Sequence, residues 1–358
     1  MSLKNGGLWL DDKGVHINAH GGGILFDGGV YYWFGEHKVE GARGNTAWVG
    51  VHCYSSRDLL SWKDEGVALA VSDDASSDIH GGNVIERPKV VRCAKTGKYV
   101  MYFHLETEPA TYRSARVGIA VADAPTGPYS FVRSLKPDPG TWPQNGVAGD
   151  RTPEALERSR RECAAIPHCG ESKEAREALI YPAFVEGGQD SRDMTLFQDD
   201  DGKVYHIFSS EYNSTLHISE LTDDCLDYSG RWWRAADKDW TEGAAVCKRG
   251  GWYYLLGSYC TGWAPNAARI YRAKSITGPW ERLGNPCVGV NPENGFGPEL
   301  TFGGQSTFIL PLGGDRYVAM FDIWRPENAI DGRYVWLPID FSGDMPRIAW
   351  RDDWDGLK

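Results

Sequence analysis

Five short hairpins recur in this chain in nearly the same phase, and an internal repeat restricts a fold more than composition does. Each unit starts with a polar residue, runs through an apolar strand, turns, and returns through a strand carrying a tyrosine. His20 heads GGGILFDGGVYYWFG, Glu86 heads RPKVVRCAKTGKYVMYF and Asp193 heads MTLFQDDDGKVYHIF. Glu242 heads GAAVCKRGGWYYLLG, and Gln305 heads STFILPLGGDRYVAMF. From heading residue to tyrosine the step is 11, 13, 12, 11 and 12 residues. Such runs, joined by glycine-rich turns, predict antiparallel strand pairs. If the units are arranged radially, the five heading residues converge at one end of a central axis.

The outer parts of the units echo one another as well. SSRDLLSW follows the first hairpin, and ADAPTGPYSF at 122–131 and AKSITGPWERL at 273–283 share Ala-x-x-x-Thr-Gly-Pro before an aromatic residue. SELTDDCLDYSG at 219–230 holds the same place after the third hairpin. Five units in 358 residues leave about 70 residues each, the size of a four-stranded propeller blade with insertions. The expectation is an all-β, five-bladed β-propeller forming one catalytic domain over 1–358. GGLWL near the start is expected to pair with the last blade and close the ring.

One interval breaks the rhythm. Glu86 to Asp193 spans 107 residues, against 49 and 63 for the next two steps. The excess, about 140–185, contains TPEALERSRRECAAI, where Thr-Pro-Glu opens a helix with proline at its first position. A partly helical insertion is expected there, either a wall of the site or a surface excursion.

A formal net charge of −11 argues against nucleic acid or an anionic membrane as partner, and no run is long enough to span a bilayer. An oligo- or polysaccharide is the expected partner, and the sequence is silent on oligomeric state. The start MSLKNGG has no hydrophobic signal region. A secreted or periplasmic location is expected only if a signal peptide preceded it, and a cytoplasmic one otherwise. The eight cysteines show no metal spacing; Cys163 and Cys169 are close enough in sequence to pair, but scattered cysteines in strand patterns are usually buried thiols. No cofactor and no catalytic metal is expected, since His16 and His20 lie in strand-like sequence where their spacing makes no helical ligand pair. A structural cation in the propeller channel is left open.

The chemistry suggested is hydrolysis at a sugar. Glu242 precedes small apolar residues, whose desolvation would keep a carboxyl protonated as a general acid needs. Asp193 leads straight into an apolar strand; a carboxylate there would raise that acid's pKa by repulsion, unless it pairs with Arg192 or Arg87. Glu86, beside Arg87 and Lys89, reads as a base, a hydroxyl ligand or half of an ion pair.

The phrases HGGGIL, ERPKVV, RDMTLFQDDDGK, LHISELTDD, CTGWAPNAAR, GPW, FGGQSTFILP and RPENAIDGRYVWLP resemble glycoside hydrolase family 43, closest to its exo-β-1,3-galactanase/galactosidase branch. The resemblance covers nearly all the chain outside 140–185. It implies a five-bladed propeller and an inverting, metal-independent hydrolase that releases galactose from the non-reducing end of β-1,3-galactan, the arabinogalactan backbone. Most of the family carries an aspartate base at the head of the first blade, where this chain has Asn18-Ala19-His20-Gly21. The resembling branch implies Gln305 as base through its imidic-acid tautomer, with Glu86 as rival, Glu242 as acid and Asp193 as modulator. It also implies sugar contacts from Glu36, Glu86, Asn213, Thr261 and Gly262, with a stacking face on Trp263; His20, at a blade head, joins the substrate-contacting set. Two departures stand out: Glu242-Gly243-Ala244-Ala245 replaces the usual Glu-Ala-Pro-Ala, and Tyr259 stands where glycine is usual. An α-L-arabinofuranosidase or β-xylosidase, and a glycan-binding propeller without activity, are the alternative readings.

Overall fold

Two of the five hairpins close on glycine pairs whose backbones require glycine. Gly28-Gly29 and Gly250-Gly251 have φ of 56°, 79°, 58° and 73°, the left-handed values that a two-residue hairpin loop takes at both positions. Each hairpin then extends outward by two more strands. The computed structural model describes residues 2–357. Blade I comprises His20–Asp27, Val30–His37, Gly50–Ser56 and Lys63–Ala70, and blade II Val84–Arg92, Tyr99–Glu106, Arg116–Ala122 and Ser130–Leu135. Blade III comprises Met194–Gln198, Val204–Ser210, Thr215–Leu221 and Tyr228–Ala235, and blade IV Thr241–Arg249, Trp252–Tyr259, Arg269–Ala273 and Glu281–Gly284. Blade V runs outward from Gln305–Gly313 through Arg316–Ile323, Arg333–Asp340 and Arg347–Ala349, with Cys287–Val288 added in parallel at its edge. The innermost strands neighbour one another in order, and that of blade V returns to that of blade I. The fold is the expected five-bladed β-propeller.

Four of the five blade heads carry a feature that the hairpin pattern did not foretell. In blades I, II, IV and V the ladder slips by one residue just inside the axis, between His20 and Gly23, Glu86 and Lys89, Glu242 and Ala245, and Ser306 and Phe308. A bulge of this kind bends the strand and re-aims the side chains beside it. Only blade III lacks one, and Asp193 sits there just outside the ladder.

The ring closes differently from the expectation. GGLWL adds no strand to the last blade. Leu3–Lys4 pairs instead with Asp353–Trp354 in a separate two-stranded ribbon, because blade V already fills its outer edge with Cys287–Val288. Blades I and V are joined by aromatic packing: Trp9, Trp33, Trp62, Trp336 and Trp354 are buried in one cluster with Tyr334. Trp9 and Trp33 each lie 5.0 Å from Trp336, centroid to centroid. Each such ring buries roughly 150–250 Å2, and pairs at this distance add about 0.5–1.5 kcal/mol beyond that burial.

The insertion between blades II and III folds as expected, with α1 (Pro153–Ala164) and α2 (Lys173–Glu177). Thr152 Oγ1 accepts the Ala155 N–H at 3.2 Å as N-cap, with Pro153 opening the helix. Cys163, Ala175 and Ile180 bury Trp240, which ties the insertion to the approach into blade IV. All eight cysteines are free, so Cys163 and Cys169 do not pair; their thiols donate to the carbonyls of Ile180 and Tyr112.

The channel below the blade heads, about 370 Å3, is lined by all five innermost strands. Lys89 reaches into it and donates to the carbonyls of Gly21 at 3.0 Å and Arg87 at 3.3 Å. Burial first, and then Arg87, push its pKa down to about 7. This side chain occupies, as a donor, backbone carbonyls of the kind a channel cation would use.

Candidate active site

The heads of blades II to V converge on one cavity of about 290 Å3. It gathers Glu36, Glu86, Asp193, Asn213, Glu242 and Gln305, with Gly262 and Trp263 at its rim. Two expected contacts lie elsewhere. His20 is fully buried beneath the cavity, stacked on Tyr334 at 5.4 Å, and desolvation holds its imidazole neutral. Thr261 is turned into its own loop, donating to the Ala264 carbonyl at 2.6 Å and accepting from Asn266 at 2.7 Å. A larger groove, about 810 Å3, runs outside blade I beside Leu10 and Arg57, and no heading residue lines it.

Glu242 is the pivot of the cavity. Its Oε1 accepts from Asn213 Nδ2 at 2.8 Å and from Cys260 Sγ at 3.1 Å. Burial, and then the Asp193 charge, raise its pKa to about 7. Asp193 is fixed by two donors: Oδ2 lies 2.7 Å from the Arg87 guanidinium and accepts the Gly243 N–H at 3.0 Å. Asp193 is thus at once the partner of Arg87 and a carboxylate beside Glu242.

Arg87, which the sequence reading treated only as a neighbour, organises the floor. It adopts φ 56°, a strained value for a side-chain-bearing residue. The corresponding residues after the heads of blades I and IV are Gly21 at 63° and Gly243 at 59°. From this backbone the guanidinium reaches Gln305 Oε1 at 2.6 Å, the Ser306 carbonyl at 3.3 Å and Asp193. Gln305 Oε1 also accepts the Trp324 indole N–H at 2.8 Å, while Nε2 donates to Ser258 Oγ at 2.9 Å.

Glu86 lies on the opposite wall. Its oxygens meet His104 Nδ1 at 3.1 Å and the Tyr112 hydroxyl at 2.9 Å. Burial works against charge on His104, yet hydrogen bonds to Glu106 and Glu86 outweigh it and hold its pKa at about 9. Burial likewise opposes charge on Glu86, and the His104 hydrogen bond overcomes it, so the carboxylate stays ionised. One ligand atom each of Glu86, His104 and Asp193 lies within 4.8 Å of the other two. A protonated His104 held between two glutamates, and an Asp193 held by Arg87, make a poor donor set for a cation. Glu36 is buried, accepts the Arg87 N–H at 3.0 Å and pairs with Lys38 at 2.6 Å.

The mouth is aromatic. Trp263, 38% exposed, meets Trp324 edge to face at 5.6 Å, and Lys38 Nζ stands 5.8 Å and 5.9 Å from the two rings. The insertion supplies Cys169 to the wall, and Arg192, just before blade III, adds a buried guanidinium bonded to Asp190 and to the Tyr112 carbonyl. Of the two readings of the insertion, a wall of the site or a surface excursion, the place of Cys169 fits the wall.

Comparison with known proteins agrees with this architecture. The sequence model of Glycosyl hydrolases family 43 matches residues 178–320. A solved family-43 β-1,3-galactosidase, determined with galactodeoxynojirimycin, is 45% identical over 99% of this chain and 100% of its own, with a TM-score of 0.88. The exo-β-1,3-galactanase of Phanerochaete chrysosporium, determined as a variant with β-1,3-galactotriose, is 31% identical over 99% of this chain and 68% of its own, with a TM-score of 0.77. A xylosidase/arabinosidase of Bacteroides ovatus is 26% identical over 254 residues, 61% of this chain and 72% of the relative. Against two further curated relatives the chain spans only 38% and 50% of their length. The chain belongs to glycoside hydrolase family 43 and is a glycoside hydrolase.

Proposed function

We propose that this chain is an inverting, exo-acting hydrolase that removes galactose from the non-reducing end of β-1,3-galactan, acting as one catalytic domain. The observation that carries the reading is Glu242, a carboxyl with a pKa of about 7 at the wall of a cavity of about 290 Å3. A cavity of this size suits one terminal sugar rather than a continuous chain, and the full-length likeness to a β-1,3-galactosidase supports galactose as that sugar.

In this reading Glu242 protonates the leaving oxygen, and Asp193 keeps it protonated near neutral pH. Ionised Glu86 and buried Glu36 accept sugar hydroxyls, and Trp263 covers an apolar sugar face. Water activation falls to Gln305, with Glu86 as the competing group. The resting hydrogen bonds of Gln305 are those of an ordinary amide, with two donors on Oε1 and one acceptor at Nε2. For Nε2 to take a proton from water, Oε1 must become a hydroxyl. Arg87 or Trp324 must then release it when substrate binds.

The likeness to a xylosidase/arabinosidase favours a second reading, with a pentose in the same cavity. Chromatography of products from β-1,3-galactobiose and longer β-1,3-galactan oligomers, beside 4-nitrophenyl arabinofuranoside and xyloside, separates them. Stepwise release of galactose is expected. Turnover of an aryl pentoside alone would move the substrate to pentoses. Galactan bound without any turnover would leave a glycan-binding propeller.

A further inference from the structure

The two oxygens of Glu242 stand in unlike surroundings. Oε1 accepts from both Asn213 and Cys260. Among the described residues Oε2 has no protein partner, and it is not among the buried polar atoms lacking one, so it is open to the cavity that Glu242 lines.

We propose that Cys260, together with Asn213, is a positioning residue that fixes the acid's proton on Oε2 by occupying Oε1 with donors. The inference rests on Glu242 being the general acid. A proton on Oε1 would face the Asn213 N–H, which offers no lone pair, and the Cys260 thiol, a weak acceptor whose sulfur already receives the Asn213 N–H at 3.6 Å. On Oε2 it points to the space where a leaving oxygen would sit. The thiol is suited to this task because burial, and then the neighbouring Glu242, keep it protonated. Its place is also fixed: Asn266 clasps the backbone of Tyr259 on both sides, accepting its N–H at 2.7 Å and donating to its carbonyl at 2.8 Å. Cys260 follows directly.

The same two donors act during the chemical step. The Oε2–H bond breaks as the leaving oxygen takes the proton, while the glycosidic C–O electron pair goes to that oxygen. Glu242 is left negative, and part of its charge falls on Oε1, where Asn213 and Cys260 are already aimed. Donors that meet charge only as it develops lower the barrier more than they tighten substrate binding. The other groups acting on Glu242 are Asp193, which favours the neutral form, and Arg87 and Arg192, which favour the ionised one. Glu36, Glu86, His104, Tyr112 and Cys169 complete the ionisable lining of the cavity.

The test compares the full chain with Cys260→Ala and Cys260→Ser between pH 5 and 9, on β-1,3-galactobiose and on 2,4-dinitrophenyl β-galactoside. The aryl leaving group departs without a proton. For Cys260→Ala we expect kcat on galactobiose to fall about tenfold, KM to stay within about twofold, and the aryl substrate to be nearly unaffected. The basic limb should move to higher pH, because a donor that favours the ionised form has been removed. Cys260→Ser, which keeps a donor, should recover part of the rate and of the limb. Equal loss on both substrates, a change in KM alone, or an unmoved limb would each overturn the proposal. Carbon-13 NMR titration of Glu242 in wild type and Cys260→Ala, with thermal unfolding to verify folding, reads the same shift without any substrate. A wild type inactive on galactobiose would overturn the galactanase reading and leave this titration to decide the role of Cys260.

Discussion

Arg87 and Gln305, from blades II and V, are joined across the propeller axis by a hydrogen bond of 2.6 Å. The same guanidinium holds Asp193 of blade III at 2.7 Å. Three blades therefore meet on one side chain whose own backbone is held at φ 56°, and the strain is sustained by what the guanidinium binds.

Removing that side chain should be felt in folding as well as in rate. Arg87→Met leaves Asp193 charged and unpaired in the cavity, a loss of about 3–5 kcal/mol for a buried pair. Urea denaturation should show the lowered midpoint, and kcat/KM should fall by about 100-fold or more. A midpoint equal to wild type would mean that Asp193 does not depend on Arg87.

The water-activating group is decided by exchanging amide and carboxylate. General-base assistance is worth about 10²–10⁴ in rate, so Gln305→Ala should lose at least the lower figure. Gln305→Glu should recover part of the activity and introduce a limb at acidic pH. If Gln305→Ala keeps most of its kcat while Glu86→Gln does not, the role belongs to Glu86.

The pH dependence follows from Glu242. An acid must carry its proton, so kcat/KM should decline as pH rises through about 7. Stability moves in the same direction. The folded pKa lies above the ordinary 4.5, so the native state binds more protons than the unfolded one in between, and stability falls as pH rises across that window. Glu242→Gln removes this loss and the repulsion with Asp193. It should abolish turnover yet raise stability by about 3 kcal/mol at pH 8, with little difference at pH 4. Calorimetry at the two pH values checks the sign.

Gly243 marks where this chain leaves the Glu-Ala-Pro-Ala pattern, and the structure explains the glycine. Its φ is 59°, and an added Cβ would stand 2.6 Å from the Ser306 carbonyl oxygen and 3.2 Å from Gln305 Cγ. Gly243→Ala should cost about 1–3 kcal/mol and push Glu242 away from Gln305, with kcat reduced about tenfold or more. Unchanged melting and unchanged rate would show that the backbone relaxes at no cost.

The propeller was legible because its repeat is written in hairpins and in their phase. The phase puts Glu242, Asp193, Gln305 and Glu86 at blade heads, where the axis is nearest, while the role of base for Gln305 is what the family resemblance implies. The bulges were not legible, because register belongs to pairs of strands and leaves no mark on either one. For the same reason His20, correct in phase, was wrong in direction: it stacks on Tyr334 of blade V instead of entering the cavity. Arg87, His104, Cys260 and Trp324 were missed as site residues. Each belongs to the cavity only through partners distant in sequence, and no local pattern distinguishes an arginine that binds Gln305 from one in solvent. The one available signal was Arg87 itself, a bulky residue at a place where two other blades have glycine.

The seam between blades I and V has an optical consequence. Five of the chain's 15 tryptophans are packed there within one aromatic cluster, and no shared strand stitches the first blade to the last. Opening the ring at this joint would separate indoles now about 5–6 Å apart and wet them together. A third of the chain's indoles therefore report one mechanical event, the parting of its first and last blades, whereas Trp263 and Trp324 report on the mouth of the cavity.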